Sequence, residues 1–285
     1  MHGLLLVLCL LLVPLEAQGQ VLVQDDLGRS VSLDRPAKRI VSLAPSITEM
    51  LYAAGAGSKI VGAVDYSDYP KEALKIPRVG GAGALDVERI ASLKPDLVVA
   101  WKSGNPSGQI DKIKSLGLPV FYAEPRRLAD IDVDIKRLGV LAGSPEQALQ
   151  AATAFGSSVA ALRSQYSKKK VVSVFYEVWP SPLMTVNDSH IISEVLHLCG
   201  ATNVFGKLPM LTPTVSTESV IVADPQAIVS SGPESWLNEW KKWDITAARE
   251  GHLFHIPSDF ISRPSPRIIE GARLLCSQID AARIK

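Results

Sequence analysis

The chain has 285 residues, 47% of them hydrophobic and 21% charged, with 30 lysines and arginines against 29 acidic residues and a formal net charge of +1. This composition belongs to a folded protein, and the length to one large domain or two ordinary ones. Balanced charge excludes the electrostatic footprint of a nucleic-acid binder and leaves a small molecule or a protein as the partner.

The first element is an almost unbroken apolar run from Leu4 to Leu15, followed by Glu16-Ala17-Gln18-Gly19. It is shorter than the roughly 20 residues that span a bilayer as a helix. It predicts a secretory signal over residues 1–19, with Ala17 and Gly19 as the small residues of the cleavage site. Cys9 lies inside the run, in the wrong place for lipid attachment. No later stretch is long and apolar enough to cross a membrane. In an exported chain the two remaining cysteines, Cys199 and Cys276, suggest a disulfide within the last third, the alternative being two buried thiols.

Beyond the signal, two halves carry one pattern. Ile47-Thr48-Glu49-Met50-Leu51 runs on to Gly55-Ala56, and Ile192-Ser193-Glu194-Val195-Leu196 runs on to Gly200-Ala201. Each predicts a short helix. Ser46 or Ser189 stands in the cap position, Ser46 with Glu49 forms a capping box, and Gly55 and Gly200 stop the two helices. A second echo sets Glu88, Ile90 and Pro95-Asp96 before Leu97-Val98-Val99 against Glu218, Val220 and Pro225-Gln226 before Ala227-Ile228-Val229. In both, the glutamate precedes the proline by seven residues, giving a short helix, a broken turn and a buried strand. Self-similarity on this scale predicts two lobes of the same architecture.

Apolar runs at Ile40–Leu43, Ile60–Val64, Leu97–Trp101, Val120–Ala123, Val171–Val178 and Ala227–Val229 alternate with helical patterns, the signature of parallel sheets with crossover helices. Between the halves, residues 145–168 hold Ala148, Ala151, Ala152, Phe155, Val159 and Leu162 at helical spacing, with Gly156 the weak point. A helix of about 23 residues is about 35 Å long, a rigid spacer rather than a flexible linker. The expected organisation is therefore an α/β protein with an N-terminal lobe over 20–144, one long connecting helix over 145–168 and a C-terminal lobe over 169–285.

Catalytic chemistry is not indicated. His252 and His255 sit in a strand-like run that turns them to opposite faces, a poor metal pair, and read as structural histidines. Gly80-Gly81-Ala82-Gly83 lacks the Gly-Lys-Ser/Thr ending of a phosphate loop and reads as a turn. No G-x-S-x-G elbow occurs. No catalytic residue, metal site or cofactor is expected. Trp236, Trp240 and Trp243 fall on one helical face and read as packing within the second lobe. Trp101 differs, because it ends a strand and enters a polar loop. Tyr66 and the pair Pro45-Ser46 also follow strands, where ligands of parallel α/β sheets bind. Three such positions in one lobe, facing the other, predict a ligand cleft between the lobes.

The run from Ser42-Leu43-Ala44-Pro45 to Glu49, together with Tyr66-Ser67-Asp68-Tyr69-Pro70, Val87-Glu88-Arg89-Ile90, Leu93 to Trp101 and Ser265-Pro266-Arg267-Ile268-Ile269, resembles the vitamin B12-binding members of the helix-linked (class III) substrate-binding proteins of ABC importers. The likeness spans the chain from Gln20 to its end, and the wider family also serves iron-siderophores and haem. The resemblance implies a periplasmic, monomeric carrier of a corrinoid such as cobalamin, working with a membrane permease and performing no chemistry. It implies that Pro45, Ser46, Tyr66, Trp101, Asp259, Phe260 and Arg263 line the ligand cleft. It further implies that Glu88 and Glu218, one per lobe, dock on the permease, and that Cys199 and Cys276 are bridged. Ala82 and Thr212 depart from the pattern, standing where the vitamin-binding members carry tryptophans. A ferric siderophore or haem is the alternative cargo; the former usually needs a cationic cleft, for which the named residues supply only Arg263.

Overall fold

The computed structural model describes residues 19–81 and 83–283. The predicted signal, Gly19 excepted, and Ala82 lie outside the described residues. Each half folds around a four-stranded parallel sheet. In the N-terminal half the strands run in the spatial order Ile60–Ala63, Ile40–Ser42, Leu97–Trp101, Val120–Ala123. In the C-terminal half the order is Ala201–Asn203, Val172–Glu177, Ala227–Ser230, Leu253–His255. The architecture is α/β with two similar parallel-sheet lobes, as the alternating pattern predicts. The central strands are apolar without alternation because both of their faces are covered: in Leu97–Trp101 every residue but the tryptophan is buried.

The two faces belong to different cores. On the rear face, apolar residues of both sheets merge into one continuous cluster with Ala148, Ala152, Phe155, Leu162 and Tyr166 of the connecting helix. That helix spans Pro145–Tyr166. It packs along the helix Leu128–Ala142 and also touches Pro45–Ala53, Ile191–Leu198 and Ile268–Ala281, two helices from each lobe. On the front face each lobe has its own core: Val41, Val64, Val98, Ile90 and Ile110 in the first, Phe175, Val220, Ile228 and Trp240 in the second. The short helices Val87–Ser92 and Thr217–Ala223 belong to these front layers. The lobes are thus joined at the back and separate at the front.

The internal duplication extends to backbone conformation. Lys94 and Asp224, the residues before the equivalent prolines, have φ of +47° and +41°. A following proline disfavours the right-handed helical region, and both chains leave their short helices through the left-handed one. Gly55 and Gly200, at φ of +78° and +67°, end the two equivalent helices as predicted. The predicted caps do not form. Pro45–Ala53 begins on Ala44 with no side-chain cap, since Pro45 occupies the first helical position. Ile191–Leu198 begins on His190, whose Nδ1 accepts the Ile192 amide. The serines at 46 and 189 are not caps, and Glu49 is used elsewhere. A disulfide joins Cys199, at the end of Ile191–Leu198, to Cys276 in Ile268–Ala281. Gly80-Gly81 pairs antiparallel with Ala84-Leu85, in keeping with the turn expected of the glycine run.

Candidate functional site

Asp68, in the loop after Ile60–Ala63, is bonded to Arg263, which follows Leu253–His255, so loops at the carboxyl ends of the two sheets meet, where ligands of parallel α/β sheets bind. After Leu97–Trp101, the Trp101 amide is bonded to Asn105 Oδ1 at 2.7 Å, and Asn105 in turn donates to the Leu43 carbonyl. This brings Gly104 flat beneath the indole: a Cβ there would lie 1.8 Å from the ring. The equivalent strand of the other lobe, Ala227–Ser230, repeats the device, for a Cβ on Gly232 would lie 2.1 Å from the Trp236 ring. In each lobe the segment after this strand packs a tryptophan on a glycine, although Trp101 precedes its glycine and Trp236 follows it. Trp236 stands edge to face with Trp179, their centroids 5.4 Å apart, and Trp179 is 51% exposed on the short hairpin Trp179–Met184. Val178, Trp179, Gly232, Trp236, His255 and Asp259 line a cavity of about 680 Å3 on this wall.

Tyr66 is presented by strained backbone. Its φ is +62°, uncommon for a bulky residue, and its side chain is 79% exposed. The strain is held by the loop around it. Ser67 is buried, its hydroxyl accepts from Thr48 Oγ1, its carbonyl accepts from Arg78, and the Asp65 amide donates to Gly80.

The same loop is gripped from the other lobe. Arg263 bonds Asp68 at 2.7 Å and Glu49 at 3.1 Å in the N-terminal lobe, and Asp259 at 2.8 Å in its own. Arg267 reaches Glu49 at 3.1 Å, and its guanidinium lies 4.0 Å from the Tyr69 ring centroid and 4.9 Å from that of Phe260. The Ser265 hydroxyl donates to Glu49 at 2.5 Å. Burial pushes the Glu49 carboxyl up, against the opposing pull of Ser265, Arg263 and Arg267. Asp68 is held below the usual carboxylate range, chiefly by its bond to Arg263. Arg263 is therefore turned into the lobe junction, only 12% of its side chain exposed. Three carboxylates, Glu49, Asp68 and Asp259, thus surround Arg263 and Arg267 and match their charge.

Glu194, the counterpart of Glu49 in the repeat, acts in the opposite direction. Its carboxylate accepts the Leu128 amide at 2.7 Å, at the start of the first lobe's last helix, and lies 3.9 Å from Arg163 of the connecting helix. Each lobe thus lends the other a glutamate at the start of its last long helix.

The remaining predicted residues are placed as follows. Pro45 and the buried Ser46 open the helix after Ile40–Ser42. Phe260 lies on the short helix Ser258–Ile261 and packs on Arg267. Thr212 sits in a loop running beside residues 185–187. Glu88 and Glu218 occupy the same place, the second residue of helices capped by Asp86 and Ser216, and both are exposed on the front face. Among the described residues neither is paired with a cation. The tryptophan triplet does not pack as one face. Ser235–Asn238 gives way to a 3-10 turn over Glu239–Lys242, so the period changes. Only Trp240 is buried, while Trp236 enters the cleft wall. Trp179 was not legible, because its two-residue strand has no periodicity. His252 Nδ1 lies 3.0 Å from the Gln226 carbonyl, a structural contact.

Residues 40–260 match the family of periplasmic binding proteins. The chain belongs to that family. Among curated relatives of this periplasmic binding protein, the vitamin B12-binding protein of Vibrio parahaemolyticus is 34% identical over 256 residues, covering 88% of this chain and 93% of the relative. That of Yersinia pestis is 38% identical over 243 residues, covering 85% and 86%. The crystal structure of the periplasmic vitamin B12-binding protein BtuF of Vibrio cholerae superposes with a TM-score of 0.82 at 35% identity, over 88% of this chain and 99% of that one. The haem-binding protein RhuT of Roseiflexus, at 22% identity and a TM-score of 0.77, shares the fold.

Proposed function

We propose that this periplasmic binding protein captures a corrinoid, cobalamin, between its lobes and delivers it to the permease of an ABC importer. It is exported by cleavage of the signal over 1–19, acts as a monomer, and carries its ligand without a cofactor of its own or any chemical turnover. The observation that carries the cargo assignment is the character of the cleft. Aromatic faces stand on both walls, Tyr66 and Trp101 on one, Trp179 and Trp236 on the other, and the nearby arginines are already matched by Glu49, Asp68 and Asp259. Such a cleft suits a large, nearly neutral ring with apolar faces. Arg263 and Arg267, already matched by carboxylates, have little to offer an anionic iron chelate. The vitamin-binding relatives named above support the same cargo.

Calorimetric titration with cyanocobalamin, with ferric siderophores and haem as parallel ligands, tests this. The expected result is one-to-one, sub-micromolar binding of cobalamin alone. Binding of an iron chelate or haem in its place overturns the cargo and leaves the fold. Trp101→Ala should cost about 1–3 kcal/mol of binding free energy. Glu88 and Glu218 are proposed as the docking pair: equivalent, exposed and without a cation of their own, they suit a pseudo-twofold basic surface. Glu88→Ala with Glu218→Ala should abolish uptake in reconstituted vesicles and leave the cobalamin titration unchanged. Full transport by the double variant would refute the docking assignment.

A further inference from the structure

The front face of the second lobe holds a cavity separate from the cleft. Its volume is about 160 Å3, and Glu177, Pro180, Leu183, Thr217, Trp240 and Trp243 line it. Glu177 is the last residue of the central strand Val172–Glu177, on the same sheet face as Phe175, and is 2% exposed. Its Oε2 accepts the Trp240 indole N–H at 3.2 Å. One neutral donor is little compensation for a buried carboxylate, whose two oxygens can accept about four hydrogen bonds. Burial accordingly pushes the Glu177 carboxyl up, against the Trp240 bond.

The walls and the rim add the rest of the chemistry. Two indoles and two apolar side chains shield the carboxylate from water, which strengthens its attraction for a positive charge. Trp243 is partly exposed, and Lys242 Nζ lies 5.9 Å from its ring centroid while bonded to Glu239 at 2.6 Å. The chain's own ammonium therefore already lies near this ring, and Lys242 and Glu239 complete the cavity lining. Among the charged groups here, Glu177 and Glu239 outnumber Lys242, and Glu218 follows Thr217 directly. A carboxylate floor with aromatic walls is a receptor for a cation. The volume admits one side-chain head and nothing as large as the cargo.

We propose that this cavity receives a guanidinium or ammonium side chain presented by the permease, as an anchor beside Glu218. The partner assignment rests on the docking role proposed above; the cavity's preference for a cation does not. Bound there, the head would donate to Glu177 from the front and lie against Trp243, while Lys242 stays on Glu239.

The indole N–H resonances of Trp240 and Trp243 in the full protein report the cavity directly. Titration with n-propylguanidinium chloride, against sodium chloride at equal ionic strength, should shift both saturably. Glu177→Gln keeps an acceptor for Trp240 and removes the charge, so it should weaken this binding about tenfold or more. Lys242→Met removes the competing ammonium and should tighten it. A shift that does not saturate, or that is the same in Glu177→Gln, overturns the cation site. For the partner, affinity for permease in vesicles should fall about tenfold in Glu177→Gln and in Trp243→Leu, with the cyanocobalamin titration unchanged. Undiminished docking of both variants overturns the permease assignment even if propylguanidinium binds. Failure of the unaltered protein to dock overturns the docking role as well, while the resonance titration still decides the cavity.

Discussion

Gly104 and Gly232 fix the cleft walls by having no side chain. Their backbones lie within van der Waals reach of Trp101 and Trp236, so any Cβ must lift the indole from its seat. Gly232→Ala is expected to weaken cobalamin binding by about 1–2 kcal/mol by displacing Trp236. Calorimetric titration checks it, and unchanged affinity would remove Trp236 from the site. A second residue carries a pH dependence. Burial holds the His190 imidazole neutral down to about 4, against 6.5 ordinarily. The unfolded chain takes up its proton first as pH falls, so the stability present above pH 6.5 drains away towards pH 4, by at most about 1.4 kcal/mol per unit. His190→Asn retains an acceptor for the Ile192 amide and does not titrate. Its denaturant midpoint should therefore change less between pH 7 and pH 5 than that of the unaltered protein. Of these residues only Trp101 was legible, because it visibly ends a strand. Gly232 and His190 act through neighbours brought together by folding, and nothing in their own spacing announces it.

The long strands and the connecting helix were readable because their patterns are local: continuous apolar runs, or alanines and leucines at helical spacing. The short elements were not. Ala201–Asn203 is three residues long and polar at its end, and the 3-10 turn after Asn238 breaks a spacing that looked helical. The connecting helix offers a paired test of its packing. A Cβ on Gly139, in Leu128–Ala142, would lie 2.1 Å from the Ala148 Cβ, whereas one on Gly156 meets nothing within 4 Å. Gly139→Ala should destabilise the protein by about 1–3 kcal/mol by prising the two helices apart. Gly156→Ala should stabilise it by about 0.5–1 kcal/mol through helix propensity alone. Thermal unfolding of the two variants should shift in opposite directions. Equal shifts would mean that the two helices do not meet as closely as this.

At the scale of the whole molecule, the internal repeat turned out to encode more than two similar lobes. Glu49 and Glu194 were visible as equivalent letters, but their partners were not, since Arg263 lies 214 residues from Glu49. Sequence spacing offers no way to see that each serves the opposite lobe. Removing Glu49 leaves Arg263 and Arg267 short of their shared buried carboxylate, so Glu49→Ala should cost about 3–5 kcal/mol in denaturant unfolding. The exposed Glu88→Ala should change stability by less than about 0.5 kcal/mol.

The two glutamate contacts are unequal, and that inequality sets a direction of motion. One flank is held by four polar bonds among Glu49, Asp68, Arg263, Ser265 and Arg267, and by an arginine between two rings. On the other flank, Glu194 meets one amide and a distant arginine, beside a polar cavity of about 540 Å3 lined in part by Arg126, Asp188 and His197. When the lobes part, the pivot belongs at the tight corner, and the molecule should open askew, like a door on its jamb rather than a pair of jaws. Spin labels on the exposed residues 126 and 188 should then spread further on ligand release than labels on 74 and 262, and equal spreading would restore the symmetrical jaw.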